Sequence, residues 1–318
     1  MAILHKFNPF TRWKKDSIKY VYSNSYWFMD TGQHIFPVQK YRKIYENLLR
    51  MGIKKDNFLS PVPASDDDIL LVHTSKYLKK LKTGRLSHSE LMTLELPFSP
   101  DIFEFFRLTA GGSITASLAA LEKGIAVHIG GGFHHAFPDH GEGFCILNDV
   151  GISLARMKHD KKIEKAMVVD CDVHHGNGTA AVFSEKDYAF TFSIHQMDIY
   201  PARKPKSSLD VGLWTGDGDQ AYIASIQKIF PKIYEEFNPD LVFYLAGADP
   251  YKKDQLGGLE LSLEGLKKRD EIIIMEARRH GIPLVILFAG GYALDIKDTV
   301  AIHLNTIKTA QKAQAKYV

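Results

Sequence analysis

The chain has 318 residues, 45% of them hydrophobic and 24% charged, and its 40 Lys and Arg against 37 Asp and Glu leave a formal net charge of +3. This is the composition of an ordinary soluble globular protein, and it excludes a disordered polymer, a collagen-like chain and a disulfide-stapled miniprotein. No apolar run reaches the ~18–20 residues of a membrane span, residues 1–15 lack the apolar core of a secretory signal, and so small a charge with no basic stripe offers no nucleic-acid surface, so a cytoplasmic protein is expected.

In chain order, a weak strand signal covers residues 20–23 and a helical pattern 41–51, followed by a strand-like run at 69–73 and helical patterns at 75–82 and 108–123. Strand 125–129 precedes helix 149–159, and strands 166–171 and 189–194 follow. Helix 220–237, strand 241–247, helix 262–280, strand 283–289 and helix 298–310 complete the chain. The helical stretches repeat apolar residues every three or four positions. The five stronger strand runs are almost continuously apolar, as strands buried on both faces are. Such alternation predicts an α/β fold with right-handed crossovers, a central, mostly parallel β-sheet flanked by helices. The charged stretches 158–165 and 203–208 read as solvated loops, and nothing marks a domain boundary, so 1–318 reads as a single domain.

Ligands of open α/β sheets collect at the carboxyl ends of the strands, and four such ends here carry unusual residues. Strand 166–171 runs into Asp170-Cys171-Asp172-Val173-His174-His175-Gly176-Asn177-Gly178. In extended backbone, residues two apart share a face, so Asp170, Asp172 and His174 point one way. A carboxylate and an imidazole so spaced suit a divalent metal such as zinc, and Asp249, at the end of strand 241–247, is a candidate third ligand. After strand 125–129 comes Gly130-Gly131-Gly132-Phe133-His134-His135. Paired histidines at a strand end have no packing rationale and suit proton transfer beside a metal. The fourth end, Ala289-Gly290-Gly291-Tyr292, lets backbone approach a cavity and offers a phenol to a developing oxyanion. Taken singly, each piece is also compatible with a helix cap, a tight turn or an aromatic plug. Cys145 and Cys171 make neither a disulfide framework nor a zinc knuckle.

With these four pieces in order, the sequence resembles the histone deacetylase superfamily, which also holds acetoin-utilisation proteins and acetylpolyamine amidohydrolases. The resemblance runs from about Leu70 to about Ile307 and is most specific at 130–148, 168–178 and 245–261. It implies an arginase/deacetylase-like fold, with Asp172, His174 and Asp249 as ligands of a zinc ion, or of ferrous iron in its place. His134 and His135 match the proton-handling pair, Asp170 the partner of His134, and Tyr292 the residue that polarises the substrate carbonyl. Gly143 and Phe144 match the substrate tunnel, with Tyr200 on the opposite wall. A structural potassium ion is implied near Asp170, Asp172, His174, Ser193 and Ile194.

Three features depart from the class I pattern. Asn177 stands where His135 would have an aspartate, the tyrosine motif reads AGGY, and the loop after Ile194 lacks the phenylalanine run. These look most like the class IV branch and its bacterial relatives, a resemblance that admits long acyl groups as well as acetyl. Asn177 leaves His135 without a charged partner, which makes it less basic than His134. The implied function is removal of acetyl or longer acyl groups from lysine side chains, with a protein or peptide partner. The alternatives are an amidohydrolase of acetylpolyamines or other small amines, which an acidic residue such as Asp30 or Glu95 at the tunnel mouth would favour, and a pseudoenzyme that binds acylated ligands. An arginase-type ureohydrolase lacks its additional carboxylate here. His140 and His195 read as structural, and the oligomeric state is not encoded legibly.

Overall fold

The structure is a computed structural model that describes residues 18–317, so the reading of residues 1–15 lies outside it. Eight strands form one all-parallel sheet in the order β2-β1-β3-β8-β7-β4-β5-β6. The four central strands are β3 (Ile125–His128), β8 (Leu284–Leu287), β7 (Leu241–Leu245) and β4 (Ala166–Asp170), and all are buried throughout. β5 (Ala189–Gln196) follows β4, and β6 (Leu209–Leu213) closes that edge. The other edge is β1 (Lys19–Val21) with the two-residue β2 (Phe58–Leu59).

Alternate residues of each central strand feed two separate cores. Val127, Val169, Tyr244 and Ile286 enter one, while Ala126, Val168, Phe243 and Val285 enter the other. The first core is covered by α1 (Gln39–Arg50), α8 (Asp219–Phe237), α9 (Leu263–Arg279) and α10 (Ile296–Lys316). The second is covered by α5 (Pro100–Lys123), α6 (Asp149–His159) and α7 (Asn177–Phe183). Both faces are covered, which is why these strands read as continuous apolar runs. No helix among the described residues is long and apolar enough to cross a membrane.

The five strong strand signals and the weak one at 20–23 are strands, but the run at 69–73 is not. It spans the end of α2 (Asp66–Leu70) and the turn after it. Ser65 and Asp68 form a reciprocal capping box there, and that local signature outweighs the apolar run. α5 begins at Pro100, eight residues before the expected start, capped by the Ser99 side chain on the Ile102 N–H. β6 escapes the sequence reading because it is a half-exposed edge strand containing Gly212. α3 (Ser75–Thr83) lies where expected, whereas α4 (His88–Leu94) falls outside the helical patterns of the sequence.

The carboxyl ends of β4 and β7 are fastened from below by one side chain. Arg269 of α9 is fully buried and donates from Nη1 to the carbonyls of Cys171, at 3.2 Å, and Gly247, at 2.6 Å. Its Nε and Nη2 bind Asp270 Oδ1 at 3.0 and 2.9 Å. Asp270 also accepts from Tyr244 Oη at 2.5 Å and Thr306 Oγ1 at 2.6 Å. Arg269→Met leaves a buried carboxylate unpaired, so it should lose roughly 3–5 kcal/mol of stability in denaturant unfolding. Arg42→Ala, which breaks an exposed pair with Glu46, should leave the unfolding midpoint where it is.

Candidate active site

The loops after β3, β4, β7 and β8 converge because these four strands are neighbours and parallel. After β3, Gly131 and Gly132 take left-handed backbone, at φ +68° and +85°. The loop they form is held by Asp149, the first residue of α6. Its carboxylate accepts the N–H of Gly132 at 3.1 Å and of Phe133 at 2.7 Å, and the Ser113 hydroxyl at 2.5 Å. This fixed loop delivers His134 and His135 side by side into the interior.

The two histidines differ in their partners. His134 Nδ1 lies 2.6 Å from Asp170 Oδ2, and His135 Nδ1 lies 2.6 Å from Asn177 Oδ1. Their Nε2 atoms are 3.1 Å apart. Burial opposes charge on His134, but the Asp170 and Asp172 carboxylates win and raise it to about 9. Burial, reinforced by the charges of His134 and His174, pushes His135 well below the ordinary imidazole value. Their surroundings thus push the two rings apart, His134 toward the charged form and His135 toward the neutral one.

β4 ends at Asp170, and the chain then bends, so the alternation expected to align three side chains does not continue. Asp170 turns to His134, while Asp172 and His174 turn toward Asp249. The ligand-type atoms of Asp172, His174 and Asp249 all lie within 4.8 Å of one another. His174 Nδ1 is 3.1 Å from Asp172 Oδ1 and 3.5 Å from Asp249 Oδ2. The carboxylates are oriented by backbone, with Val173 N–H on Asp249 Oδ1 at 2.9 Å and Gly290 N–H on Asp172 Oδ2 at 2.7 Å. Burial and the neighbouring Asp172 charge raise Asp249 to about 7. Its Oδ2 is buried without a hydrogen bond among the described residues. Two buried carboxylates and one imidazole, with an orphaned oxygen between them, fit a divalent cation. A second group of ligand types, His175, His195 and Asp210, is partly engaged by hydrogen bonds: His175 Nε2 meets Asp210 at 3.2 Å and Ser207 at 3.3 Å, and His195 Nδ1 meets Ser193 at 3.0 Å, while His175 Nδ1 has no hydrogen bond among the described residues.

A cavity of about 200 Å³ opens onto Asp172 and His174 of the first group and is lined also by His134, His135 and Tyr292, with Gly143, Phe144 and Tyr200 on its wall. All three residues expected in the tunnel are there. Glu142, Gly143, Phe144 and Cys145 form a tight turn with left-handed backbone at its two central residues, φ +49° and +66°, the geometry of a type I′ turn. Tyr200 is carried by the 197–208 loop, where Lys204 Nζ donates to the carbonyls of Met197, Ile199 and Pro201. Tyr292 is set by its own N–H on Asp254 Oδ2 at 2.6 Å. Burial, then the Asp172 and Asp249 charges, push its phenol well above the ordinary value, so it stays a donor. Glu95 lines the cavity and is exposed, whereas Asp30 caps a turn at the Gly32 N–H.

Sequence reasoning missed Phe36 on the cavity wall, Asp254 behind Tyr292, and Lys40. Lys40 is buried, donates to Ala289 O at 2.6 Å, and is pushed by burial down to about 8. It sits in an ordinary amphipathic helix pattern, which carries no signal of a buried amine. Asp254 could have been found, because it lies inside the specific 245–261 stretch.

Comparison with known proteins agrees with this architecture. The crystal structure of the HDA15 HD domain superposes with a TM-score of 0.77 at 22% identity, covering 94% of this chain and 89% of that one, so the two share a fold. A family model described as the histone deacetylase domain matches residues 34–307. The chain belongs to the histone deacetylase family, and the match begins well before the Leu70 limit of the sequence resemblance. It is 35% identical to an uncharacterized protein of Picosynechococcus over 85% of this chain and 91% of that one. It is 30% identical to histone deacetylase 2 of Arabidopsis thaliana, over 86% of this chain and 74% of that one. It is also 30% identical to the histone deacetylase-like amidohydrolase of Pseudomonas aeruginosa, over 74% of this chain and 66% of that one.

A Cβ at position 290 would lie 1.9 Å from Asp249 Oδ2 and 2.6 Å from Asp172 Oδ2. Gly290→Ala should therefore displace both carboxylates and weaken divalent-metal binding about 10–100-fold in a calorimetric zinc titration. Unchanged affinity would remove these carboxylates from the metal group.

Proposed function

We propose that this protein is a zinc-dependent amidohydrolase that removes acetyl or longer acyl groups from lysine side chains, with residues 1–318 acting as one catalytic domain. The observation that carries the reading is that one cavity is lined by the two histidines, by Asp172 and His174 of the Asp/His/Asp group and by the half-buried Tyr292. His134 Nε2 lies 3.8 Å from Asp172 Oδ1, so the pair and the ligand group are in contact. Asp172, His174 and Asp249 would hold the zinc ion, or ferrous iron in its place. A divalent metal there supplies Lewis acidity toward the acyl carbonyl and toward water.

The chain's own residues do the rest. His135 presents a lone pair at Nε2 and takes the proton of the attacking water. His134, held charged by Asp170, stabilises negative charge on the reacting carbonyl and supplies the proton that the departing amine needs. Tyr292 donates its hydroxyl to the oxygen that gains charge. The balance is amide and water to carboxylate and protonated amine. Gly143, Phe144 and Tyr200 flank the stem of the acylated side chain. Potassium is assigned to Asp170, Asp172, His174, Ser193 and Ile194; in support, Asp170 and Ser193 are register partners on β4 and β5.

Exposed Glu95 on the cavity wall favours a second reading, a cationic acylated amine such as an acylpolyamine. A panel of acetyl-, decanoyl- and myristoyl-lysine peptides beside acetylspermidine separates the two. Turnover of the acyl-lysine peptides above acetylspermidine is expected, the acyl preference reporting how class IV-like the chain is. Preference for acetylspermidine would transfer the assignment to small amines, and no turnover of any substrate would leave an acyl-ligand binding protein. Tyr292→Phe should lower kcat ~10²–10³-fold while zinc content stays unchanged.

A further inference from the structure

Glu142 stands behind the histidine pair and has no part in the mechanism above. Asn177 Nδ2 donates to Glu142 Oε1 at 2.8 Å, and Tyr200 Oη donates to the same oxygen at 2.8 Å. His140 Nε2 lies 3.5 Å from the other oxygen. The backbone beneath is rigid: Glu142 and Cys145 exchange N–H···O bonds of 3.1 and 2.9 Å, and the Gly143 and Phe144 N–H groups bind the carbonyls of Thr93 and Leu94.

These contacts settle the polarity of the chain of groups ending at His135. An ionised carboxylate only accepts hydrogen bonds, so Asn177 must turn its NH₂ toward Glu142 and its carbonyl toward His135. The Gly178 N–H, 3.0 Å from Asn177 Oδ1, agrees with that orientation. A carbonyl 2.6 Å from His135 Nδ1 requires the proton on Nδ1. His135 Nε2 is then an unprotonated nitrogen on the cavity wall, 3.1 Å from His134 Nε2, the tautomer a general base needs. The same carboxylate pins the Tyr200 hydroxyl, and it does so where space is tight, since a Cβ at Gly143 would come within 2.6 Å of that oxygen.

We propose that Glu142 is a positioning residue: through Asn177 it fixes the His135 tautomer that accepts a proton, and through Tyr200 it fixes one wall of the substrate tunnel. Asn177 thus carries the influence of a carboxylate to His135 without placing a second charge against the pair. The general-base role of His135 rests on the amidohydrolase reading above; the tautomer and the relay do not, and they are measured separately.

The test is a long-range ¹H–¹⁵N correlation spectrum of the zinc-loaded, ¹⁵N-histidine-labelled protein, with His135 assigned by its loss in His135→Gln. The wild type is expected to show Nδ1 protonated and Nε2 with a free lone pair. Glu142→Leu should move the ring toward a mixture of tautomers and lower kcat about 10–100-fold, whereas Glu142→Gln, which keeps an acceptor, should retain both. A charge exchange gives the second arm. Asn177→Asp sets two carboxylates against each other, and Glu142→Gln added to it restores a donor–acceptor pair. The double variant should exceed Asn177→Asp in kcat at least tenfold. A proton on Nε2 in the wild type, or a double variant no better than Asn177→Asp, would overturn the proposal. If no substrate is turned over, the spectrum still decides the tautomer, so failure of the relay and failure of the amidohydrolase reading remain distinct.

Discussion

The constraint on which the rest of this structure depends is the burial of negative charge at the ends of β4 and β7. Asp170, Asp172 and Asp249 are all 3% exposed or less, and stripping water from ionised carboxylates costs several kcal/mol each unless opposite charge and hydrogen bonds replace it. Every unusual element nearby answers that cost. Asp170 and Asp172 draw His134 toward its charged form. Backbone N–H groups of Val173 and Gly290 orient the other two carboxylates. Arg269 fastens the carbonyls of Cys171 and Gly247 from beneath, and Lys40 brings a buried amine to the Ala289 carbonyl. What remains unanswered is Asp249 Oδ2, which lies where a cation would complete the set.

The same constraint explains which parts of the molecule were legible in the sequence. The central strands were, because a parallel sheet covered on both faces leaves unbroken apolar runs. The candidate site residues stand out, because His134, His135, Asp172, His174 and Tyr292 lie in glycine-containing loops after strand ends, where polar residues have no packing role. Edge structure was not: β6 alternates and is half-exposed, and β2 is two residues long. The run at 69–73 is strand-like in apolar content alone, whereas the Ser65–Asp68 capping box preceding it makes its first residues the end of a helix. Alternation brought Asp170, Asp172 and His174 onto one face on paper, whereas the chain bends after Asp170 and gives these residues two different destinations.

The supporting side chains were illegible for a different reason. Lys40, Asp149 and Arg269 sit at helix positions where a charged residue is ordinarily solvated, and only the packing of the helices onto the sheet reveals them as buried. Glu142 lies inside the most distinctive stretch of the sequence, but its meaning depends on Asn177, 35 residues away. Asn177 on sequence alone leaves His135 without a charged partner. In the fold, a carboxylate stands one hydrogen bond further out, so His134 meets a carboxylate directly and His135 meets one through Asn177, and both rings are held in orientation.

A titration of zinc into chelator-stripped protein, with bound metal and acyl-lysine turnover followed in the same samples, tests the central claim most directly. The expected result is activity that rises in proportion to bound zinc and saturates at one equivalent per chain, with Asp249→Asn binding no zinc and recovering no activity. Turnover that survives complete removal of metal, or full zinc binding by Asp249→Asn, would contradict it.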